Sequence, residues 1–103
     1  MDKQQIKQLL QIKTIEDIKS LNIIDQYEDD HQQCAEVEIN GINVEFLWFD
    51  ELGFLQYYNE SAKAAMKLLH AIRFFVFATL DQMDEADFDE EMQQLYSELS
   101  KEF

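Results

Sequence analysis

The chain has 103 residues, of which 22 are Asp or Glu and eight are Lys or Arg, giving a formal net charge of -14. Nucleic acids and anionic membranes are unfavourable partners for such a chain because both are polyanions, whereas a basic protein surface is a favourable one. The length suffices for one modest core, so we predict a single α+β domain over residues 1–103.

The composition also argues against disorder, membrane insertion and secretion. Eight Phe residues are too many for a disordered acidic tail. Arg73 interrupts the best apolar run, so no membrane span is predicted. The N-terminal residues lack the apolar block of a signal peptide, and the single cysteine, Cys34, permits no internal disulfide. We therefore expect a reducing, cytoplasmic environment.

Two short helices are predicted at the N-terminus. Residues 2–12 have apolar side chains at helical spacing, and a capping pattern at Thr14 begins a second helix. We expect both helices to lie on the core as covers.

A β-hairpin is the most specific local feature of the sequence. Asn40-Gly41 separates two runs of alternating apolar and polar residues, which favours a two-residue type I′ turn. This turn places Glu36 opposite Glu45 and Glu38 opposite Asn43. One face of the hairpin is predicted to carry Ala35, Val37, Ile39, Ile42, Val44, Phe46 and Trp48. The other face is predicted to carry Cys34, Glu36, Glu38, Asn43, Glu45, Leu47 and Phe49.

Shorter apolar runs predict strands on either side of the hairpin. Ile23, Ile24 and Tyr27 indicate a short strand, followed by a polar acidic loop over residues 28–33. After a turn at residues 50–53, residues 54–58 are predicted to form a further strand. The sheet is then an antiparallel meander of three or four strands.

Two longer helices are predicted in the C-terminal half. Residues 61–80 contain neither Gly nor Pro and have apolar residues three and four positions apart, so we predict a long core helix packed on the sheet, capped by Asn59 or Ser61. A capping pattern at residues 87–90 starts an acidic C-terminal helix. Its apolar stripe contains Phe88, Met92, Leu95, Tyr96, Leu99 and Phe103.

The sequence shows no recognisable arrangement of residues for catalysis or metal binding. With only two glycines it lacks a Gly-rich phosphate loop, and no serine lies in a nucleophile elbow. His31 and Cys34 are two potential zinc ligands where a structural site needs four. A calcium-loop count from Asp87 places Met92 where the sharp turn requires Gly. We predict a protein that is not an enzyme and has no cofactor or metal.

Acidic side chains on the hairpin are the candidate binding residues. Glu36 and Glu45 oppose each other across two strands, which like-charge repulsion destabilises, and Glu38 shares their face. Same-face residues on a strand are about 6.8 Å apart, similar to neighbouring phosphates of a nucleic acid. We predict that these glutamates imitate a phosphate row or bind Lys and Arg of a partner; the alternative is a solvated sheet face. The flanking candidates are Asp29, Asp30, Asp50 and Glu51.

Two further groups of residues have both a functional and an ordinary explanation. The acidic residues near the C-terminus fit helix capping and a solvated face. They are Asp84, Glu85, Asp87, Glu90, Glu91, Glu98 and Glu102.

The second group consists of apolar side chains that exceed what one small core hides: Leu47, Phe49, Phe74 and Phe77. These residues would form a homodimer seam or the apolar centre of a binding patch, unless the N-terminal helices cover them, which is our expectation.

In size, acidity and absence of catalytic motifs, the chain resembles small acidic inhibitor proteins. Examples are phage anti-CRISPR and anti-restriction proteins and the immunity proteins that neutralise toxic nucleases. The resemblance implies a non-enzymatic inhibitor whose partner is a basic nuclease or a nucleic-acid-guided effector complex. An antitoxin is a related alternative, and a homo-oligomeric structural or adaptor protein is an alternative of a different class.

Overall fold

An antiparallel sheet and several helices make up the part of the chain that the computed structural model describes, which is residues 2–48 and 53–103 without the side chain of Trp48. In chain order the elements are helix α1 (Lys3–Leu10), strands β1 (Leu21–Asp29), β2 (Gln32–Ile39) and β3 (Ile42–Trp48), and helices α2 (Phe54–Tyr57), α3 (Ala62–Asp81) and α4 (Glu90–Ser100). The strands lie in the order β1-β2-β3. The predicted α+β class, with a long helix packed on an antiparallel meander, is confirmed.

The turn between β2 and β3 has the predicted conformation. Asn40 has φ of 50° and Gly41 has φ of 81°, the positive values that a type I′ turn requires at both central residues. The strands pair in the predicted register, with Glu36 opposite Glu45. A dipeptide of suitable backbone preference therefore determines which side chains share each face of the sheet.

The side chain of Asn40 also anchors the segment that leads into β1. Its Oδ1 atom accepts hydrogen bonds from the backbone N–H groups of Lys19 at 2.7 Å and Ser20 at 3.1 Å. Its Nδ2 atom donates to the carbonyl oxygen of Asp17 at 3.0 Å. One residue thus sets the hairpin turn and positions the entry to the edge strand.

β1 and β2 are joined by a second tight turn where the sequence predicted a loop. Asp30 and His31 have φ of 51° and 68°, and Asp and His are among the residues that tolerate this left-handed region. The loop predicted over residues 28–33 was therefore wrong, because all but these two residues belong to strands. A β-bulge between Ile23 and Asp25 also reverses the alternation of side chains along β1.

The second predicted N-terminal helix is replaced by a single 3₁₀ turn, Ile15–Asp17. The capping interaction is present, since the Asp17 carboxylate accepts hydrogen bonds from the backbone N–H groups of Lys13 and Thr14. The helix does not continue because Ile18 is already extended and leads the chain into β1. This capping pattern starts one turn and not a helix.

The predicted fourth strand, residues 54–58, is also wrong, since residues 54–57 form the short helix α2. Phe54 and Leu55 are both buried. Successive side chains of a strand point to opposite faces, whereas neighbouring positions of a helix can share the side that faces the core. Of the turn predicted at residues 50–53, only Gly53 lies within the described residues.

The core lies between α3 and one face of the sheet, which we call the inner face. The Ser61 hydroxyl caps α3 by accepting from the Ala64 N–H, as predicted. The buried residues of α3 are Ala64, Leu68, Ala71, Ile72, Val76 and Leu80. The buried inner-face residues include Ala35, Val37, Ile39, Ile42, Val44 and Phe46. Helices α1 and α4 pack on α3. The opposite face of the sheet, which we call the outer face, is bordered by Phe75 of α3, which lines shallow clefts together with Glu36 and Glu38.

Candidate functional site

A row of three carboxylates crosses the outer face of the sheet. Asp25 on β1 pairs with Glu36 on β2, and Glu36 pairs with Glu45 on β3. Directly opposed residues have Cβ atoms about 4.5–5.5 Å apart and point to the same side of the sheet. Glu38 extends the row along β2, two residues from Glu36. We call Asp25, Glu36, Glu38 and Glu45 the acidic face.

The segment that contains the acidic face has no Lys or Arg of its own. Residues 25–62 contain ten acidic residues and neither Lys nor Arg. Within the described part of the chain, none of the ion pairs involves the acidic face. The carboxylates of Asp25 and Glu36 likewise have no hydrogen-bond donor among the described residues. Among the described residues, repulsion within the row is therefore not relieved by an ion pair.

One neutral side chain reaches across the sheet to the row. The Tyr27 hydroxyl donates a hydrogen bond of 2.5 Å to Oε1 of Glu45. This bond raises the pKa of Tyr27 to about 12, because the negative carboxylate favours the neutral phenol over the phenolate. Oε2 of Glu45 is left available to an external donor. Tyr27 therefore orients Glu45 without neutralising it.

The predicted glutamates are brought together as expected, and the structure adds a residue that the sequence analysis missed. Asp25 was missed because residues 28–33 were interpreted as a loop; counting back from a two-residue turn at Asp30-His31 would have placed it opposite Glu36. Asp29 pairs with Gln32 at the far end of the sheet, and Asp30 lies in the turn. The predicted residues Phe49, Asp50 and Glu51 lie outside the described residues.

The residues considered for metal binding or nucleophilic chemistry are separated from each other. Cys34 belongs to the outer face by register, opposite Tyr27 and Leu47, but it is only 1% exposed. His31 is exposed in the turn. Over residues 2–48 and 53–103, no three potential ligands cluster as a metal site would require, and no polar or charged residue is buried. On the acidic face, Asp25 and Glu45 are exposed, whereas Glu36 and Glu38 are half-buried.

Three acidic residues near the C-terminus, Asp89, Glu91 and Glu102, are paired with basic side chains. Lys3 of α1 lies 2.9 Å from a carboxylate oxygen of Asp89 and 2.7 Å from one of Glu91, and Lys7 also pairs with Glu91. Hydrogen bonds from Lys3 lower the pKa of both carboxyl groups. Asp89 in addition caps α4 by accepting from the backbone N–H of Met92. The carboxylates of Asp89 and Glu91 therefore support the fold, by capping α4 and by pairing with the lysines of α1.

Arg73 of α3 pairs with the other end of this segment. Its Nε and Nη2 atoms donate to the two carboxylate oxygens of Glu102 at 2.8 and 2.7 Å. The paired guanidinium lowers the pKa of Glu102. Both ends of α4 are thus tied to basic residues from distant parts of the chain.

A small apolar groove borders the acidic face between α3 and β3. Its volume is about 140 Å³, and its lining includes Leu47, Phe74, Ala78 and Glu45. Leu47 is 54% exposed and Phe74 is 42% exposed. The expectation that N-terminal helices cover these residues was wrong, because α1 is short and is held beside α4 by its lysines. Phe77, by contrast, stacks on Tyr96 and Phe103.

Comparisons with protein-family models, with curated proteins and with solved structures found no match to this chain. None of the helices in the described residues has both the length and the apolar character needed to cross a membrane. Functional inference therefore depends on the geometry and charge of the surface.

Proposed function

We propose that this protein is a non-enzymatic inhibitor that binds the basic, nucleic-acid-handling surface of another protein through its acidic face. The observation that supports the proposal is the row formed by Asp25, Glu36 and Glu45. A Lys at any of these positions would relieve the repulsion across the strands. Arg and Lys side chains of a partner would provide the missing positive charge through charge-assisted hydrogen bonds.

The spacing of the acidic face suits a surface that normally binds phosphates. Glu36 and Glu38 lie on one side of the same strand, about 6.8 Å apart, and the cross-strand neighbours are closer. The protein would compete with nucleic acid for the same basic groups of a nuclease or a nucleic-acid-guided effector complex. Anti-CRISPR, anti-restriction, immunity and antitoxin proteins would all meet this electrostatic requirement. The excess negative charge would also accelerate encounter with a basic partner.

The test is affinity capture from cytosolic lysate at low salt, followed by a high-salt wash and mass spectrometry. We expect a basic nuclease or nucleic-acid-guided complex to be retained at low salt and released at high salt, because screening weakens exposed charge pairs. The recovered protein should lose nucleic-acid binding or cleavage when one equivalent of the inhibitor is added.

Two double variants with the same change in net charge test whether the acidic face is the surface that binds the partner. Glu36→Lys combined with Glu45→Lys should abolish capture, whereas Asp84→Lys combined with Asp87→Lys should retain it, although both pairs change the net charge equally. Circular dichroism confirms that each variant is folded. If both variants captured the partner equally, the acidic face would not be the binding surface.

A homo-oligomeric structural or adaptor protein is the second candidate, favoured by the exposed side chains of Leu47 and Phe74. Sedimentation velocity distinguishes it from the inhibitor. A tight dimer that persists at all salt concentrations would support the oligomer, and a monomer would exclude it.

A further inference from the structure

We infer that the apolar groove and the acidic face form one composite docking site for a basic segment of a partner that carries a single large apolar side chain. The apolar side chain enters the groove between α3 and β3, and a flanking Arg or Lys binds Glu45. This inference depends on the proposed function and specifies the chemistry of the partner.

Glu45 connects the two parts of the site. It lies in the carboxylate row of the acidic face, opposite Glu36, and it also lines the groove with Leu47, Phe74 and Ala78. An Arg or Lys next to a side chain seated in the groove would therefore lie beside the carboxylate of Glu45. A partner with a large apolar side chain and an adjacent Arg or Lys would contact both the groove and Glu45, whereas either side chain alone would contact only one of them.

The size of the groove indicates how much of the partner it can accept. Its volume of about 140 Å³ is close to that of an apolar cavity of about 150 Å³ that binds benzene. One aromatic or large aliphatic side chain fits this space, whereas a complete helix does not. The exposed surfaces of Leu47 and Phe74 would be covered by the same side chain.

The charge around the groove favours a basic partner over a second copy of this chain. In a two-fold symmetric dimer the same patch meets itself, so the groove-lining Glu45 and its neighbour Glu36 would approach their equivalents. Each copy has a net charge of -14 and provides no Lys or Arg from residues 25–62 to compensate. A basic segment places positive charge at the same location.

A short peptide tests this composite site directly. The probe is acetyl-Arg-Phe-Arg-amide, titrated to millimolar concentration into the ¹⁵N-labelled full chain and followed by two-dimensional NMR. We expect saturable shifts of the backbone amides around Glu45, Leu47, Phe74 and Ala78. Replacing Phe by Ala in the peptide should weaken binding at least about tenfold, because burial of the ring is lost. Acetyl-Glu-Phe-Glu-amide should not bind.

Two variants on the same helix provide the matched controls. Ala78→Trp fills the groove and should abolish the shifts caused by the Phe peptide. Met66→Trp adds the same ring at a position of α3 that is 72% exposed and does not line the groove, so it should leave binding unchanged.

The other outcomes overturn the inference in distinguishable ways. Equal binding of the Phe and Ala peptides, with shifts confined to the acidic face, would eliminate the groove but leave the proposed function in place. Shifts around the groove that depend only on protein concentration would identify a second copy as its occupant. Absence of any peptide-induced shift would eliminate the composite site, while the lysate capture would still test the function separately.

Discussion

The outer face of the sheet and the C-terminal helix are both acidic, but they are built differently. On α4, Asp89 and Glu91 pair with Lys3, and Glu102, just beyond the helix, pairs with Arg73. On the sheet, carboxylates oppose each other across three strands, and in the described part of the chain no cation approaches them. Near α4, three carboxylates are thus paired with cations, whereas the acidic face forms no ion pair within the described residues.

This difference separates acidity that stabilises the structure from acidity that costs stability. A capping carboxylate with a Lys partner interacts favourably with the helix and with its neighbour. Opposed carboxylates on a sheet repel each other, and solubility alone does not require that arrangement. The unbalanced region is consequently the better candidate for binding.

The largest expected effect concerns what holds α4 in place. The side chain of Leu99 on α4 is only 2% exposed. Leu99→Ala should therefore lower the free energy of unfolding by about 3 kcal/mol, because burial is lost and a cavity is left. Lys3→Ala should have a much smaller effect, because exposed ion pairs contribute little to stability. Urea denaturation measures both variants. Equal losses would mean that the ion pairs of Lys3 contribute as much as packing to the attachment of α4, contrary to this expectation.

Two substitutions that remove a charge, one on the acidic face and one on α4, should change the free energy of unfolding in opposite directions. Glu36→Gln should stabilise the protein by about 0.5 kcal/mol, because it removes the central charge of the row. Glu91→Gln should destabilise it, because Lys3 and Lys7 lose a charged partner. Thermal unfolding at low and high salt measures both effects, and salt should reduce each of them. Effects of the same sign would contradict the assignment of the two regions.

The Glu91 contribution also has a defined pH dependence. Its pKa is lowered in the folded protein by the hydrogen bond from Lys3. The stabilisation is therefore present above the ordinary carboxyl pKa and is lost as the pH falls through the lowered value. The difference in unfolding free energy between wild type and Glu91→Gln should accordingly disappear in acid.

The most local of the predictions concerns the titration of the Tyr27 hydroxyl. Ultraviolet absorbance should show a tyrosine ionising near pH 12, and Glu45→Gln should return that pKa towards the ordinary value of about 10. Because the folded pKa is raised, the stabilisation is present below pH 10 and is lost as the pH rises through about 12. Tyr27→Phe identifies the transition, with Tyr96→Phe as the control. No change on Glu45→Gln would show that the phenol does not bind the row in solution.

The sequence by itself determined the features that depend on neighbouring residues. Asn40-Gly41 specified the hairpin register and so the opposition of Glu36 and Glu45, because a type I′ turn admits few residues and alternation has a period of two. The cap of α3 was also predicted, with Ser61 as one of two candidates, since its hydroxyl binds a backbone N–H three residues away within its own turn.

Only the tertiary structure decided how distant segments combine. The Asp30-His31 turn brought Asp25 into the carboxylate row, although the polar residues around the turn suggested a loop. Lys3 is 86 residues from Asp89 in the chain, and local patterns contain no information about that pairing. Which acidic residues form ion pairs is therefore a property of the packed chain, since it depends on contacts between residues far apart in sequence.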